Sequence, residues 1–389
     1  MNVIDLFSGV GGFSSGFKQD GYDVLLANEI DESIARSYQL NHLDTLMINK
    51  DIKEFAEHTE QIIETALRAF EDQQRADYIR EMLGDIDVII GGPPCQGFSM
   101  AGSRIRKSTS FIEDERNYLF KYYFKLIQKF EPNYFVMENV QGLETMKNGA
   151  ILEEIMNLFQ DENNFIGGPY SVSKIIVAAN ELGVPQGRKR LILIGSKNGC
   201  INIAHELELA KQELKIPAKV TIEEAISDLN YLESGQGSFE TDYQLDIQSE
   251  YQRARRAGST GLFNHIAPKH NEVALERIRK IKQGENFTVL RDEDIKSVHS
   301  GAYGRLEWAG QSATITTRFD TPSAGRVIHP GLNRALTPRE AARIQSFDDS
   351  FIFYGNKTSV GKQIGNAVPP LVARVLAHII RKDYNKHYR

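Results

Sequence analysis

The chain has 389 residues, of which 25% are charged and 41% hydrophobic, a composition typical of a soluble globular protein with room for two domains. No apolar run approaches the roughly twenty residues of a membrane-spanning helix, and the start Met-Asn-Val-Ile-Asp lacks the basic region and apolar core of a signal peptide, so we expect a cytoplasmic protein. The net charge of -6 argues against a uniformly basic nucleic-acid binder but allows a local basic cleft.

The first predicted element is a strand over residues 3–7, which runs into a glycine-rich turn and a helix. Glycines let backbone N–H groups approach a ligand closely, and a helix start favours a carboxylate or phosphate. The turn departs from the dinucleotide-binding fingerprint, because Ser14 stands where that pattern has its third glycine. By itself the turn fits a ligand site and a packing turn equally well.

Two further strands, residues 22–29 and 45–52, each carry an acid at or near the end, Glu29 and Asp51. Glu29 is placed to accept both ribose hydroxyls of a nucleoside, and Asp51 to accept from an adenine amino group, with Ile52 packed on the ring. Each acid alone fits a helix N-cap or a solvated loop as well. Three consecutive strand ends with a glycine turn, an acid and an acid predict an adenosine pocket without a pyrophosphate.

Residues 54–83 form a polar helical region that we expect to be a solvated surface insertion. The strand that follows, residues 87–90, ends in Gly91-Gly92-Pro93-Pro94, which stops helix and ordinary strand alike. Cys95 therefore stands at the carboxyl edge of the sheet, where ligands bind in open α/β folds, and its thiol becomes a strong nucleophile once its pKa is lowered. The alternative is a small buried side chain in a tight turn.

The remaining strands complete the predicted sheet. A basic stretch at residues 103–110 fits a linker or a phosphate contact, and we favour the contact because it follows Cys95. A helix over residues 117–130 leads to a strand at 134–140, where Glu138 is a candidate general acid. A hairpin-like pair, residues 174–180 and 190–195, brings the count to seven strands. We therefore predict an α/β fold with a doubly wound, mainly parallel, seven-stranded sheet and an antiparallel edge.

From residue 204 onward, long polar helical stretches replace the alternation of strands and helices. We place a domain boundary near Lys197, with residues 1–197 and 355–389 forming the catalytic and cofactor-binding domain and residues 198–354 a smaller domain. Residues 251–282 carry a local excess of basic side chains that fits phosphate contact or a solvated helix face. Thr337 is predicted to cap a helix that starts at Pro338, and residues 365–380 to cover the sheet beside the first strand.

Five motifs stand in the order and at about the intervals seen in DNA cytosine-5 methyltransferases. They are Asp5-Leu6-Phe7-Ser8-Gly9-Val10-Gly11-Gly12, Gly91 to Ser99, Glu138-Asn139-Val140, Gln186-Gly187-Arg188-Lys189-Arg190 and Gly365-Asn366-Ala367-Val368-Pro369-Pro370. The chain resembles this family from about residue 3 to about residue 376. The resemblance is weakest between about residues 200 and 298, where the target-recognition regions of that family diverge.

The resemblance implies a Rossmann-like methyltransferase domain that uses S-adenosyl-L-methionine, together with a smaller target-recognition domain. It implies that Cys95 adds to carbon 6 of a cytosine flipped out of duplex DNA, that Glu138 donates at N3, and that Arg190 binds the O2 edge with Arg188 nearby. The residues expected to hold the cofactor are Phe7, Ser8, Gly9, Val10, Gly12, Glu29, Ile30, Asp51, Ile52, Pro94 and Asn366.

The expected partners are double-stranded DNA and a restriction endonuclease that acts on the same site. We expect a monomer that binds no metal. The two cysteines, Cys95 and Cys200, provide no disulfide framework and no zinc spacing. Three alternatives remain. A transfer-RNA cytosine methyltransferase would carry a Cys-Phe-Thr element, and a cysteine hydrolase would need a histidine in a motif beside the strand ends. A non-catalytic DNA-binding regulator need not keep Cys95, Glu138 and Arg190 together.

Overall fold

The structure is a computed structural model that describes residues 1–94, 118–290 and 300–388. The chain divides into two compact units. The first comprises Met1–Val177, Lys189–Lys215 and Ala373–Arg389, and the second comprises Ala178–Arg188 and Ile216–Val372. Among the described residues, no helix is long and apolar enough to cross a membrane.

The first unit is built on a seven-stranded sheet. Its strands are β1 (Asn2–Leu6), β2 (Asp23–Asn28), β3 (Leu46–Ile48), β4 (Val88–Gly91), β5 (Tyr134–Val140), β6 (Ser171–Ala178) and β7 (Lys189–Ser196). They lie in the order β3-β2-β1-β4-β5-β7-β6, with β1 to β5 parallel and β7 antiparallel to β5. This confirms the predicted fold class. The chain order reverses between β1 and β4, and in doubly wound sheets ligands bind beyond the carboxyl ends of the strands at such a point.

The helices of the first unit connect and cover these strands. They are α1 (Gly12–Gln19), α2 (Glu32–Asn41), α3 (Ile52–Glu57), α4 (Thr59–Ala69), α5 (Gln73–Met82), α6 (Tyr118–Phe130), α7 (Ala150–Gln160) and α8 (Ile203–Glu213). The interpretation of residues 54–83 as a solvated insertion is wrong for one face of α4 and α5. Ile63 and Leu67 of α4, with Ala76 and Ile79 of α5, are buried in the main core. Their spacings of four and three residues place each pair on one helical face.

The second unit contains shorter elements. Its helices are α9 (Ile222–Ile226), α10 (Glu250–Arg256), α11 (Glu272–Lys280), α12 (Pro338–Ile344) and α13 (Lys357–Asn366), and its strands pair as β8 (Gly237–Thr241) with β9 (Leu262–Ile266) and β10 (Gly304–Arg305) with β11 (Arg326–Ile328). The predicted cap of α12 is confirmed. The Thr337 side chain accepts from the Glu340 N–H, and the Glu340 carboxylate accepts from the Thr337 N–H.

The last helix, α14 (Pro370–Tyr388), belongs to the first unit from Ala373 onward. The Tyr22 hydroxyl donates to the Ala377 carbonyl, and the apolar side chains of Val375, Leu376 and Ile379 are fully buried. The helix thus packs within the unit that contains β1.

The main segment of the second unit, Ile216–Val372, differs at both ends from the predicted smaller domain, residues 198–354. Residues up to Lys215 belong to the first unit, because α8 is tied to α14 by ion pairs such as Glu206 with Lys386, 2.9 Å apart. Residues 355–372 belong to the second unit. There α13 lies so close to Thr317 that a Cβ at Gly361 would be 2.4 Å from the Thr317 carbonyl oxygen.

Candidate active site

The glycine-rich turn after β1 has the backbone of a ligand-binding turn. Phe7, Gly9 and Gly11 all have positive φ, of 56°, 54° and 93°. For Phe7 this conformation is strained, and such strain is found most often at functional sites. A Cβ at Gly11 would lie 2.5 Å from His42 Nε2, so only glycine fits there, whereas a Cβ at Gly9 would meet no described atom within 4 Å. The turn is therefore packed against His42 at Gly11, whereas the space next to Gly9 is open among the described residues.

Glu29 ties this turn to the end of β2. Its two carboxylate oxygens accept from the N–H groups of Gly9 at 3.0 Å and Asp31 at 2.9 Å. Burial raises the pKa of Glu29 even though these donors oppose the shift. Protein donors thus occupy part of the carboxylate for which the sequence predicted a ribose contact. A carboxylate has about four acceptor positions, which leaves room for ribose hydroxyls. Ile30, the next residue, is 64% exposed.

Asp51 follows β3 and caps α3. Its side chain accepts from the Lys53 N–H at 2.8 Å, which is the N-cap alternative considered for this acid. Ile52 is only 3% exposed and packs in the main core. Contact of either side chain with an adenine ring therefore stays a prediction.

The other predicted cofactor residues are distributed over both units. Ser8 is nearly buried and bonds to the Asn28 carbonyl through its N–H at 2.9 Å and its hydroxyl at 3.2 Å. Val10 is buried, and Gly12 is the buried first residue of α1. Pro94 is exposed at the end of the described part of its loop. Asn366 is exposed at the end of α13 and belongs to the second unit.

The sequence reasoning missed Asp5, a fully buried carboxyl inside β1. Its Oδ2 is 2.6 Å from the Ser14 hydroxyl of α1, and that hydroxyl is 2.7 Å from the Tyr38 hydroxyl of α2. Burial raises the pKa of Asp5 to about 7. This chain of polar groups links β1 to α1 and α2. An acid within an otherwise apolar strand was the signal that could have revealed it.

Glu138 and Arg190 form an ion pair at the carboxyl end of β5. In the antiparallel register Glu138 is opposite Ile192 and Val140 is opposite Arg190, so the two charged residues are diagonal neighbours on one face of the sheet. Arg190 Nε lies 2.8 Å from Glu138 Oε1, and the side chains are 23% and 13% exposed. The structure thus brings together two of the predicted catalytic side chains and leaves both partly accessible.

The loop that leads to Cys95 starts beside this pair. A Cβ at Gly92 would lie 3.4 Å from Glu138 Oε2, and the Asn139 side chain donates to the Pro93 carbonyl at 3.0 Å. Cys95 itself, and the basic stretch at residues 103–110, lie outside the described residues. The role predicted for Cys95 therefore stays a prediction.

Arg188 is placed differently from Arg190. It is 3% exposed and belongs to the second unit, where its guanidinium donates to the Gly365 carbonyl at 3.0 Å and to the Asn366 carbonyl at 3.4 Å. These are the last carbonyls of α13, which lack partners within the helix, and a cation near them is favourable. In this structure Arg188 fixes the segment that contains Asn366, and its contact with a cytosine stays a prediction.

The basic stretch at residues 251–282 is only partly available for phosphate contact. Arg255 lies 3.1 Å from Asp348, and Arg256 lies 2.6 Å from the buried Asp228. Both arginines are therefore paired with acids of the second unit, which argues against phosphate contact by these two side chains. The lysines of the stretch, Lys269, Lys280 and Lys282, are exposed. Among the described side chains, no cluster of histidine, cysteine and acidic residues is arranged to hold a metal ion.

Comparison with known proteins gives consistent matches along the whole chain. Residues 1–382 match the family model of the C-5 cytosine-specific DNA methylases. The chain is 35% identical to Type II methyltransferase M.DdeI of Desulfomicrobium norvegicum, over 98% of this chain and 88% of that protein. It is 32% identical to Type II methyltransferase M1.HphI of Haemophilus parahaemolyticus, over 98% of this chain and 87% of the relative.

Solved structures show the same fold. A putative DNA modification methyltransferase encoded within an Escherichia coli prophage superimposes with a TM-score of 0.70 at 27% identity, covering 99% of both chains. The Dnmt2 methyltransferase of Schizosaccharomyces pombe superimposes with a TM-score of 0.60 at 16% identity, over 99% of each chain. The second similarity is one of fold alone.

Proposed function

Because the chain belongs to the C-5 cytosine-specific DNA methylase family, we propose that it transfers a methyl group from S-adenosyl-L-methionine to carbon 5 of a cytosine in duplex DNA, through a covalent bond between Cys95 and carbon 6. Cytosine-5 DNA methylation is the activity of that family. The observation that supports the covalent route best is the Glu138–Arg190 ion pair beside the loop that leads to Cys95.

The first unit offers a fitting place for the cofactor. The open backbone at Gly9, the partly used carboxylate of Glu29 and the exposed side chain of Ile30 suit a nucleoside whose ribose hydroxyls need acceptors. When bound, S-adenosylmethionine supplies an electrophilic methyl group. Glu29 would accept from the ribose and Asp51 from the adenine amino group, with Ile52 packed on the ring. The remaining proposed contacts are Phe7, Ser8, Val10, Gly12, Ile30, Pro94 and Asn366.

The chemistry follows from the poor nucleophilicity of cytosine carbon 5. Addition of the Cys95 thiolate to carbon 6 forms an S–C6 bond and shifts the electrons of the C5=C6 double bond, which makes carbon 5 nucleophilic. Glu138, in its protonated form, donates its proton to N3, and Arg190 binds the O2 edge, so the charge that collects there is neutralised. After methyl transfer, a base takes the carbon 5 proton and the N3 proton returns to Glu138, which restores the double bond as the thiolate leaves.

The substrate proposed for this chemistry is double-stranded DNA with the target cytosine out of the stack, because the target atom is inaccessible within a duplex. The exposed lysines of the second unit suit phosphate contact, which positions a protein on DNA without reading sequence. The relatives are named Type II methyltransferases. We therefore propose that a restriction endonuclease with the same recognition site accompanies the protein. We also propose that the enzyme is a monomer and acts in the cytoplasm.

Transfer of a radiolabelled methyl group from S-adenosylmethionine to duplex DNA tests the function, and Glu138→Gln tests the role of the acid. The variant keeps the size of the side chain but removes its transferable proton, so we expect kcat to fall about a hundredfold or more. Glu144→Gln is a matched control, since Glu144 follows the same strand and pairs with Lys174 at 3.5 Å. Equal rates for Glu138→Gln and the wild type would exclude Glu138 as the acid.

Cofactor affinity tests the adenosine pocket. We expect Glu29→Ala and Asp51→Ala each to weaken S-adenosylmethionine binding about tenfold or more. Each variant removes a carboxylate that would accept a hydrogen bond from the nucleoside. Glu29→Ala also frees the Gly9 N–H, so it should have the larger effect. Isothermal titration calorimetry measures both, with Glu32→Ala on the exposed first turn of α2 as the control. Wild-type affinity in both variants would place the adenosine elsewhere.

A further inference from the structure

Asn28 joins the ends of three neighbouring strands. It is the last residue of β2 and is 2% exposed. Its Nδ2 donates to the carbonyl oxygens of Ile48 and Lys50, both at 2.9 Å, while its own carbonyl accepts from the N–H and hydroxyl of Ser8. One side chain and its backbone thereby hold the turn after β1, the end of β2 and the loop after β3.

Asn49 makes the reciprocal link from the loop after β3. Its Nδ2 donates to the carbonyl oxygens of Glu29 at 2.7 Å and Ile30 at 3.1 Å. A primary amide has two N–H donors, so these bonds and those of Asn28 each use both. Asn28, at the end of β2, thus binds the end of β3 and the loop after it, and Asn49, in that loop, binds the segment after β2. We call this pair, Asn28 and Asn49, the amide clasp.

Three of the four carbonyl groups of the clasp, those of Glu29, Ile30 and Lys50, lie beyond the last paired residues of β2 and β3. The fourth, that of Ile48, also accepts from the N–H groups of Glu29 at 3.3 Å and Lys50 at 3.1 Å. Beyond the last paired residues of parallel strands, backbone carbonyls must find other donors or be solvated. Glu29 and Ile30 are themselves proposed cofactor residues, and the Lys50 carbonyl immediately precedes Asp51. The clasp therefore fixes the backbone from which the proposed adenosine contacts project. A site held in its binding geometry before the ligand arrives has less ordering entropy to lose on binding.

We propose that Asn28 and Asn49 are positioning residues of the cofactor site, which set the affinity for S-adenosylmethionine by interlocking the segments of Glu29 and Asp51. This inference rests on the proposed function. It assigns the two amides no contact with the cofactor. The effect should be confined to cofactor binding, because Glu138 and Arg190 lie on β5 and β7, which the clasp does not touch.

Replacing each asparagine by aspartate gives a nearly isosteric test. The change replaces the side-chain NH2 group, which donates to two backbone carbonyl oxygens, by a carboxylate oxygen, which only accepts. Both hydrogen bonds are therefore lost, and the carboxylate oxygen is repelled by the two carbonyl oxygens. We expect Asn49→Asp to raise both the Kd and the KM for S-adenosylmethionine about tenfold or more. The kcat at saturating cofactor and the KM for DNA should stay nearly unchanged. Because Asn49 is exposed, this variant should fold, whereas Asn28→Asp places the charge in a buried site and should show the larger effect.

The control is Asn164→Asp. The Asn164 Nδ2 likewise donates to a backbone carbonyl, that of Leu158 at 2.9 Å, but in the connection between α7 and β6. We expect it to leave Kd and KM for the cofactor unchanged. Isothermal titration calorimetry without DNA gives Kd, and steady-state methylation gives KM and kcat.

An unchanged Kd in Asn49→Asp, with a wild-type protein that binds S-adenosylmethionine, would overturn the clasp and leave the proposed function intact. A fall in kcat without a change in KM would also overturn it, because that result would mean a role in the chemical step. A wild-type protein that neither binds S-adenosylmethionine nor methylates DNA would refute the proposed function itself, and the clasp with it.

Discussion

Cys95→Ser is expected to abolish methyl transfer, with a loss of at least about a thousandfold in kcat. A serine hydroxyl is far harder to ionise than a thiol, so it does not add to carbon 6 at neutral pH, and without that addition carbon 5 stays unreactive. Binding of DNA and of S-adenosylmethionine should stay close to wild type, because a single atom changes. A Cys95→Ser protein that methylates DNA at the wild-type rate would refute the covalent mechanism.

The same residue should be trapped on a modified substrate. Duplex DNA with 5-fluorocytosine at the recognition site keeps fluorine where a proton must leave, so the S–C6 bond cannot be released after methyl transfer. We expect a denaturation-resistant complex in the presence of S-adenosylmethionine. Mass spectrometry should identify Cys95 as the residue linked to the DNA. Cys200→Ser is the matched control and should trap normally, since Cys200 is exposed and stands in none of the motifs. Trapping on fluorinated RNA alone would indicate an RNA enzyme, and a non-catalytic regulator would trap neither.

The largest stability effect is expected in the second unit, where Arg343 connects two buried acids. Its guanidinium lies 2.8 Å from Asp228 and 2.6 Å from Asp349, and all three side chains are fully buried. Burial by itself would raise the pKa of Asp349, but the charge and hydrogen bonds of Arg343 lower it. Asp349 therefore depends on Arg343 to remain charged inside the protein.

Arg343→Leu should reduce the free energy of unfolding of the second unit by about 3–5 kcal/mol, because the buried Asp349 loses the arginine that lowers its pKa and the buried Asp228 keeps only Arg256. Trp308, the only tryptophan of the chain, lies in this unit, so its fluorescence during urea denaturation reports the transition. Arg253→Leu is the control, since Arg253 pairs with Glu250 at the surface and such pairs contribute about 0–1 kcal/mol. Equal denaturation midpoints for the two variants would contradict a stabilising role for the Arg343 cluster.

Much of the first unit follows from local sequence. Short apolar runs, bounded by glycine, proline and acids, predicted all seven strands of the sheet, and the antiparallel edge was predicted with them. The capping box of Thr337 and Glu340 was likewise predicted correctly. These features depend on residues only a few positions apart, so the sequence carries them directly. The motif order also identified the family, because it reflects chemistry at strand ends rather than long-range packing.

The folded structure was needed to show which polar groups are already bonded within the protein. Arg188 stands two residues before Arg190, yet its guanidinium binds carbonyl groups at Gly365 and Asn366, far along the chain. Glu29 accepts from Gly9, and residues 54–83 bury one face although their composition is polar. Sequence shows that a side chain can donate or accept but not what lies within 3 Å of it. Hydrogen bonds and ion pairs of this kind form only when folding brings distant segments together, and so their partners had to be read from the structure.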